Sequence, residues 1–266
     1  MASTAPVEDK KAFHPIDVPF PPFFDKELRE AWLKWGLSED MGAVKFSFDN
    51  ALPTAAATTQ ISKDVLRPFV EDFFSDPTVR SALRGAFPMV FGSGRTVCEF
   101  DVMRTSKTRM SFLSEPLVNG GIVSESGHIK GRLEEDYEGI PIVNMLRECL
   151  LMEESEHWEV FSEQDRCEFL LMIFQHLVVG GAMNQYDDSA TPYYDTTRRL
   201  YKEFCSVRRN EDGDIQVISK VVRVRSFSDE GSSLFPREHP SNFCYLIIDP
   251  LSRQLWVWYY GYRPWF

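Results

Sequence analysis

The sequence predicts an α+β protein: amphipathic helices packed on a mostly antiparallel sheet. Three observations predict it. Two long helical patterns, at about 162–180 and 192–209, are separated by Gly180-Gly181, and each opens on a residue pair that starts helices. The C-terminal third has the two-residue period of strands, with two apolar runs around Asp249-Pro250 that form a hairpin signature. No internal repeat or linker divides the chain, so one domain over 25–266 follows an extended arm over 1–24.

In the arm, Pro15, Pro19, Pro21 and Pro22 interleave with Phe20, Phe23 and Phe24. Proline disfavours helix and central strand, which leaves an extended segment laid across its own domain or docked on a partner. A helix begins at Asp25, with Leu28, Ala31, Trp32 and Trp35 on one face and Gly36 as its stop. Ala43–Phe48 alternates as a strand, and Asn50–Gln60 is a low-complexity loop. Ser62–Ser75 reads as helical apart from Pro68, and Asp76-Pro77 opens another helix. Phe87–Phe112 holds two strand-like runs, MVFGSGRTVCEFDVM and TRMSFL, with Gly92 and Gly94 marking a turn.

Pro141–Met152 is read as helical. Ser162 with Asp165 fits a capping box, Asp standing in the usual Glu position. Thr191-Pro192 gives an N-cap and a first helical residue. Ile215–Phe227 alternates, with Ile215, Val217, Val222 and Val224 apolar. Phe243–Ile248 and Gln254–Tyr260 flank the turn Asp249-Pro250-Leu251-Ser252-Arg253.

Composition limits the function. Hydrophobic residues are 43% and aromatics 14%, with 21 Phe, 9 Tyr and 6 Trp, ample for a packed core. A net charge of −11 disfavours nucleic-acid binding, which needs clustered Lys and Arg to displace counterions. No apolar run approaches the ~20 residues that span a bilayer. Five cysteines, widely spaced and odd in number, fit a reduced cytosolic compartment.

Reaction chemistry is sparse. Glu154 and His157 have the Glu-x-x-His spacing of di-iron bundles, but it occurs once where such sites need it twice. His176 lies on an apolar helix face and reads as a hydrogen-bonded core residue. Ser124-Glu125-Ser126-Gly127-His128 lacks the first glycine of a nucleophile elbow, and Gly92-Ser93-Gly94-Arg95-Thr96 meets neither phosphate-loop pattern. No cofactor is expected. If a site were assembled from distant residues, His128, His176, Glu154 and Tyr186 would be the first candidates. For protein contacts, aromatic side chains are the strongest candidates: Tyr186, Tyr193 and Tyr194 near the interhelical turn, and Trp256, Trp258 and Tyr259 on the last strand. Trp256 and Trp258 share one strand face while Val257 and Tyr259 share the other, so this strand also fits a position buried on both sides.

One set of motifs is more specific. Glu159-Val160-Phe161-Ser162, Asp165-Arg166, Glu168-Phe169-Leu170, His176-Leu177, Gly180-Gly181-Ala182, Gln185-Tyr186, Pro192-Tyr193, Thr196-Thr197, Tyr201-Lys202 and Ser206-Val207-Arg208 occur in that order. With Met110-Ser111-Phe112, Ser126-Gly127-His128-Ile129, Lys26-Glu27-Leu28-Arg29 and Phe46-Ser47-Phe48-Asp49, the chain resembles the cilia- and flagella-associated protein 300 family from about residue 26 to 260. The resemblance implies a non-enzymatic adaptor of cytoplasm and cilium. Its members are described as needed to assemble outer and inner dynein arms and to deliver them by intraflagellar transport. The implied partners are dynein assembly factors, axonemal dynein subunits and the transport machinery. It carries over no site residues, and a permanent axonemal component is the other structural reading.

Overall fold

The computed structural model describes residues 12–49, 52, 61–86, 89–91, 96–227 and 233–263. In chain order the strands are β1 (Phe13–Ile16), β2 (Met41–Phe48), β3 (Cys98–Met103), β4 (Gly131–Tyr137), β5 (Ile140–Asn144), β6 (Val207–Arg209), β7 (Ile215–Val217), β8 (Lys220–Phe227), β9 (Phe243–Asp249) and β10 (Gln254–Tyr260). The helices are α1 (Lys26–Lys34), α2 (Lys63–Ser75), α3 (Pro77–Ala86), α4 (Ser111–Asn119), α5 (Met145–Leu151), α6 (Glu163–Arg166), α7 (Phe169–Val179) and α8 (Thr191–Phe204). Asn50–Gln60 apart from Leu52, the Gly92-Ser93-Gly94-Arg95 turn and residues 1–11 of the arm lie outside the described residues.

The α+β class is as predicted. Six strands form one sheet in the order β1-β2-β10-β9-β8-β3, and every neighbouring pair is antiparallel. Two small hairpins, β4–β5 and β6–β7, stand outside it. Each face of the large sheet carries a core. On one face Trp256, Trp258 and Tyr260 meet Phe243, Tyr245 and Ile247 beneath α1, α5, α7 and α8. On the other, Leu255, Val257 and Tyr259 meet Leu246, Ile248 and Phe46 beneath α2 and α3. Strand alternation thus feeds two cores from one sheet, and burying each large side chain contributes about 1.5–3 kcal/mol.

The arm joins this sheet. Phe13 stands opposite Phe48 in β1–β2, and an edge strand tolerates Pro15 because one side of its ladder is unpaired. Phe20 is buried, stacked on Phe204 at 4.9 Å and edge-on to Trp256 at 5.2 Å.

The caps read at Asp76 and Ser162 form, and the helix starts read at Asp25 and Ser62 are capped as well. Asp25 accepts from Leu28 N (3.1 Å), Ser62 from Val65 N (3.4 Å), and Asp76 from Thr78 N (2.7 Å) and Val79 N (3.2 Å). Ser162 and Asp165 form the reciprocal capping box. Helix α2 runs through Pro68. In the C-terminal hairpin Asp249 accepts from Leu251 N (2.9 Å) and Ser252 N (3.1 Å), closing the expected turn.

Several boundaries differ from expectation. The 162–180 helix is two helices, broken at Cys167-Glu168, where Glu168 is extended and the chain pairs with Arg104. The 192–209 helix begins one residue earlier than read, with Ala190 and not Thr191 in the N-cap position; Thr191 N–H donates to Ser189 Oγ, the helix ends at Phe204, and Val207–Arg209 is strand β6. TRMSFL leads into α4 rather than forming a strand, because Leu113 and Leu117, one helical turn apart, are the buried pair. Pro141–Met152 splits into β5 and α5, with Asn144 turning the chain as N-cap, its side chain accepting from Arg147 N at 3.0 Å. Ile215–Phe227 is two strands in two sheets, parted at Ile218-Ser219. Among the described residues no helix is long and apolar enough to cross a membrane.

Candidate functional site

The α7–α8 turn is where the sequence motifs and the structure converge. Gly180, at φ +64°, ends α7, a left-handed conformation that glycine adopts without strain. Gly36, at φ +67°, ends the first helical turn region in the same way. The two backbones then meet directly. Gly181 N donates to Trp35 O at 2.9 Å and Gln185 N to Lys34 O at 2.7 Å. A Cβ on Gly181 would overlap the Gly36 carbonyl oxygen and the Tyr260 hydroxyl.

Asp187 locks this contact. Its carboxylate accepts from Trp35 Nε1 at 2.7 Å and pairs with Lys34, while its backbone N–H donates to the Tyr193 hydroxyl at 3.1 Å. The Tyr193 ring stacks on Trp35 at 4.6 Å, and burial pushes its hydroxyl up to about 12. Charge-assisted bonds to a half-buried carboxylate are the stronger kind, so α1 and the turn form one unit.

Tyr186, on the other side of the turn, lies against Arg147 of α5, whose Cζ is 4.4 Å from the ring centroid. Arg147 is buried, and its Nη2 donates to Val179 O at the end of α7. Burial holds this guanidinium below its ordinary value, with Tyr186 and Tyr193 opposing the shift. Asn184 Nδ2 also donates to Val179 O, at 2.9 Å. A cavity of about 200 Å³ opens here, lined by residues of the β4–β5 turn, Arg147, the turn after α7, and His239, Ser241 and Tyr262.

The six aromatic candidates for partner contact fall in two groups. Tyr193, Trp256, Trp258 and Tyr259 are buried: Trp258 is fully enclosed between Phe243 and Tyr245, and Trp256 is 5% exposed. Tyr186 and Tyr194 are half-buried; Tyr194 stacks on Phe174 at 5.3 Å. The possible catalytic residues have separate partners. His176 Nε2 shares a hydrogen bond with the Tyr245 hydroxyl at 2.8 Å; burial, aided by Arg223, keeps it well below its ordinary pKa. His128 N donates to Ser124 Oγ within a tight turn closed by Gly127 at φ +87°. Among the described residues no three His, Cys, Asp or Glu side chains converge as metal ligands.

Three further residues were not read as site residues in sequence. Glu168, 1% exposed, accepts from Ser106 N (3.0 Å), Lys107 N (3.4 Å), the Ser106 hydroxyl and Arg104 Nε (3.3 Å). Asp187 and Arg147 are the others. Arg147 alone carried a signal: a lone cation in the apolar helix MLRECLL.

Fold and site together define an α+β protein organised around an aromatic-rich interhelical turn that is clamped to its first helix. The chain belongs to the cilia- and flagella-associated protein 300 family, whose signature it matches over residues 10–260. Relatives of that name include one from Chlamydomonas reinhardtii, 30% identical over 263 residues that cover 95% of this chain and 98% of the relative. Another, from Paramecium tetraurelia, is 34% identical over 233 residues, covering 86% and 85%. No solved structure matches the chain.

Proposed function

We propose that the protein is a non-enzymatic adaptor of cytoplasm and cilium, needed to assemble outer and inner dynein arms and to deliver them by intraflagellar transport. The observation that carries this reading is the family match along nearly the whole chain, with relatives named for cilia and flagella in an alga and a ciliate. The partners are dynein assembly factors, axonemal dynein subunits and transport-train proteins. We place the contact at the α7–α8 turn and the start of α8, through half-buried Tyr186, near Met183, which is 74% exposed, and half-buried Tyr194. Large rigid aromatics at a surface are the side chains that dominate interface energetics. Tyr193 lies beneath that surface, Trp256 and Trp258 belong to the core on the same face of the sheet, and Tyr259 belongs to the core on the other face.

The test is affinity purification of the tagged protein from the cytoplasm of cells growing cilia, read by quantitative mass spectrometry. Dynein chains, assembly factors or transport subunits are expected, and replacing Tyr186 and Tyr194 with Ala should deplete them. Recovery of the protein alone overturns the adaptor reading. Retention in the axoneme after detergent and salt extraction would make it a permanent component instead.

A further inference from the structure

Arg147 is held in an unusual way. The residue is 1% exposed, and its guanidinium donates from Nη2 to the backbone at Val179 O, with the Tyr186 side chain as its other polar neighbour. Nε and Nη1 have no hydrogen-bond partner among the described residues, so at least three of the five N–H donors of a guanidinium are unused. Among the described residues no carboxylate lies within ion-pair distance of it. Leaving a buried cation without an anion costs several kcal/mol, and buried charges are ordinarily paired. The Tyr186 ring covers one face of the guanidinium at 4.4 Å. Its N–H groups leave in the plane, so stacking does not satisfy them.

The same guanidinium lines the cavity of about 200 Å³ beside the α7–α8 turn, together with Tyr186, Asn184, His239 and Tyr262. A second polar atom in that lining is unsatisfied: Asn184 Oδ1 is buried with no donor. One wall is fixed, with His239 stacked on Tyr262 at 3.7 Å and its Nδ1 accepting from Ser241 N at 3.1 Å. The lining therefore offers a cation with free donors and, near it, an acceptor that lacks a donor.

We propose that this cavity is a binding site for an acidic peptide residue, with Arg147 anchoring its carboxylate and Asn184 Oδ1 receiving a peptide N–H. A single guanidinium balances a carboxylate and not a phosphate dianion, and its planar fork matches carboxylate geometry. The chain carries a net charge of −11, so long-range attraction works against any anion and the affinity is local. Tyr186, the half-exposed member of the pair, is the element that turns aside to admit the residue. The assignment stands independently of the adaptor reading, because it concerns the isolated protein and one chemical group.

The experiment is a titration of the full-length protein with a capped tripeptide containing a central glutamate, and in parallel with glutarate, at millimolar concentration. The readout is the Arg147 Nε–H resonance and the melting temperature. The peptide is expected to shift that resonance and raise the melting temperature, and to bind more tightly than glutarate, which lacks the N–H. Arg147→Met should weaken binding by about tenfold or more. This variant is expected to fold, since an apolar side chain of similar volume removes an unpaired buried charge. Equal binding of peptide and glutarate would overturn the peptide assignment. A wild-type resonance that moves with neither probe, or an Arg147→Met variant that binds like wild type, would overturn the site itself.

Discussion

Gly181 and Gly36 touch backbone to backbone, so the end of α1 and the α7–α8 turn approach as closely as two chains can without side chains between them. A methyl group on Gly181 would overlap both Gly36 O and the Tyr260 hydroxyl. Gly181→Ala should therefore cost about 1–3 kcal/mol through forced displacement of packed groups. In a chain of this size that lowers the melting temperature by several degrees. An unchanged melting curve would show that the contact yields freely.

Glu168 should be equally sensitive for a different reason. Its carboxylate gathers the N–H groups of Ser106 and Lys107 at the break between α6 and α7. Glu168→Gln places an amide N–H₂ among donors, leaving buried groups unpaired. The expected loss is about 2–4 kcal/mol, seen as a lower urea midpoint with little change in slope. A midpoint equal to wild type would mean that water replaces the carboxylate.

His176 makes stability depend on pH. Its folded-state pKa lies well below 6.5, so the unfolded chain binds the extra proton first. Stability is full above about pH 6.5 and falls by up to about 1.4 kcal/mol per unit as the pH drops below that value. His176→Gln should flatten the slope between pH 6.5 and 5 in chemical denaturation. Parallel pH profiles for the two proteins would contradict this.

Thiol labelling should separate the cysteines. Cys98, Cys149, Cys205 and Cys244 are buried, and Cys167 is exposed. Burial pushes the Cys98 thiol up to about 12 and Cys149 up to about 11, so neither forms thiolate at neutral pH. A maleimide at pH 7 should modify Cys167 rapidly and the other four only after denaturation. Fast labelling of a second cysteine would reveal local opening.

Most helix starts and the last hairpin were legible because their signals are local, although Thr191 proved to be the first helical residue and not the N-cap. Asp25, Ser62, Asp76 and Ser162 cap through their own side chains, and Asp249 closes its own turn. What stayed hidden depends on partners distant in sequence. The break at Glu168 exists because residues 104–107 pair with it, and β6 forms because Val207 meets Val217. The site divides in the same way. Gly180-Gly181 and the tyrosines could be read along the chain, whereas the Asp187–Trp35 bond and the Arg147–Tyr186 stack join residues that only folding brings together.

The strand order has a consequence for biosynthesis. β2 is among the first elements made, yet one of its two neighbours is β10, with Met41 opposite Tyr260. At about 5–20 residues per second the nascent β2 waits on the order of ten to forty seconds for that neighbour. During that time Phe46 and Phe48 have no finished sheet to join. The newborn chain therefore keeps both core faces open until its last strand emerges, and a premature stop before β10 would release a chain that cannot close them.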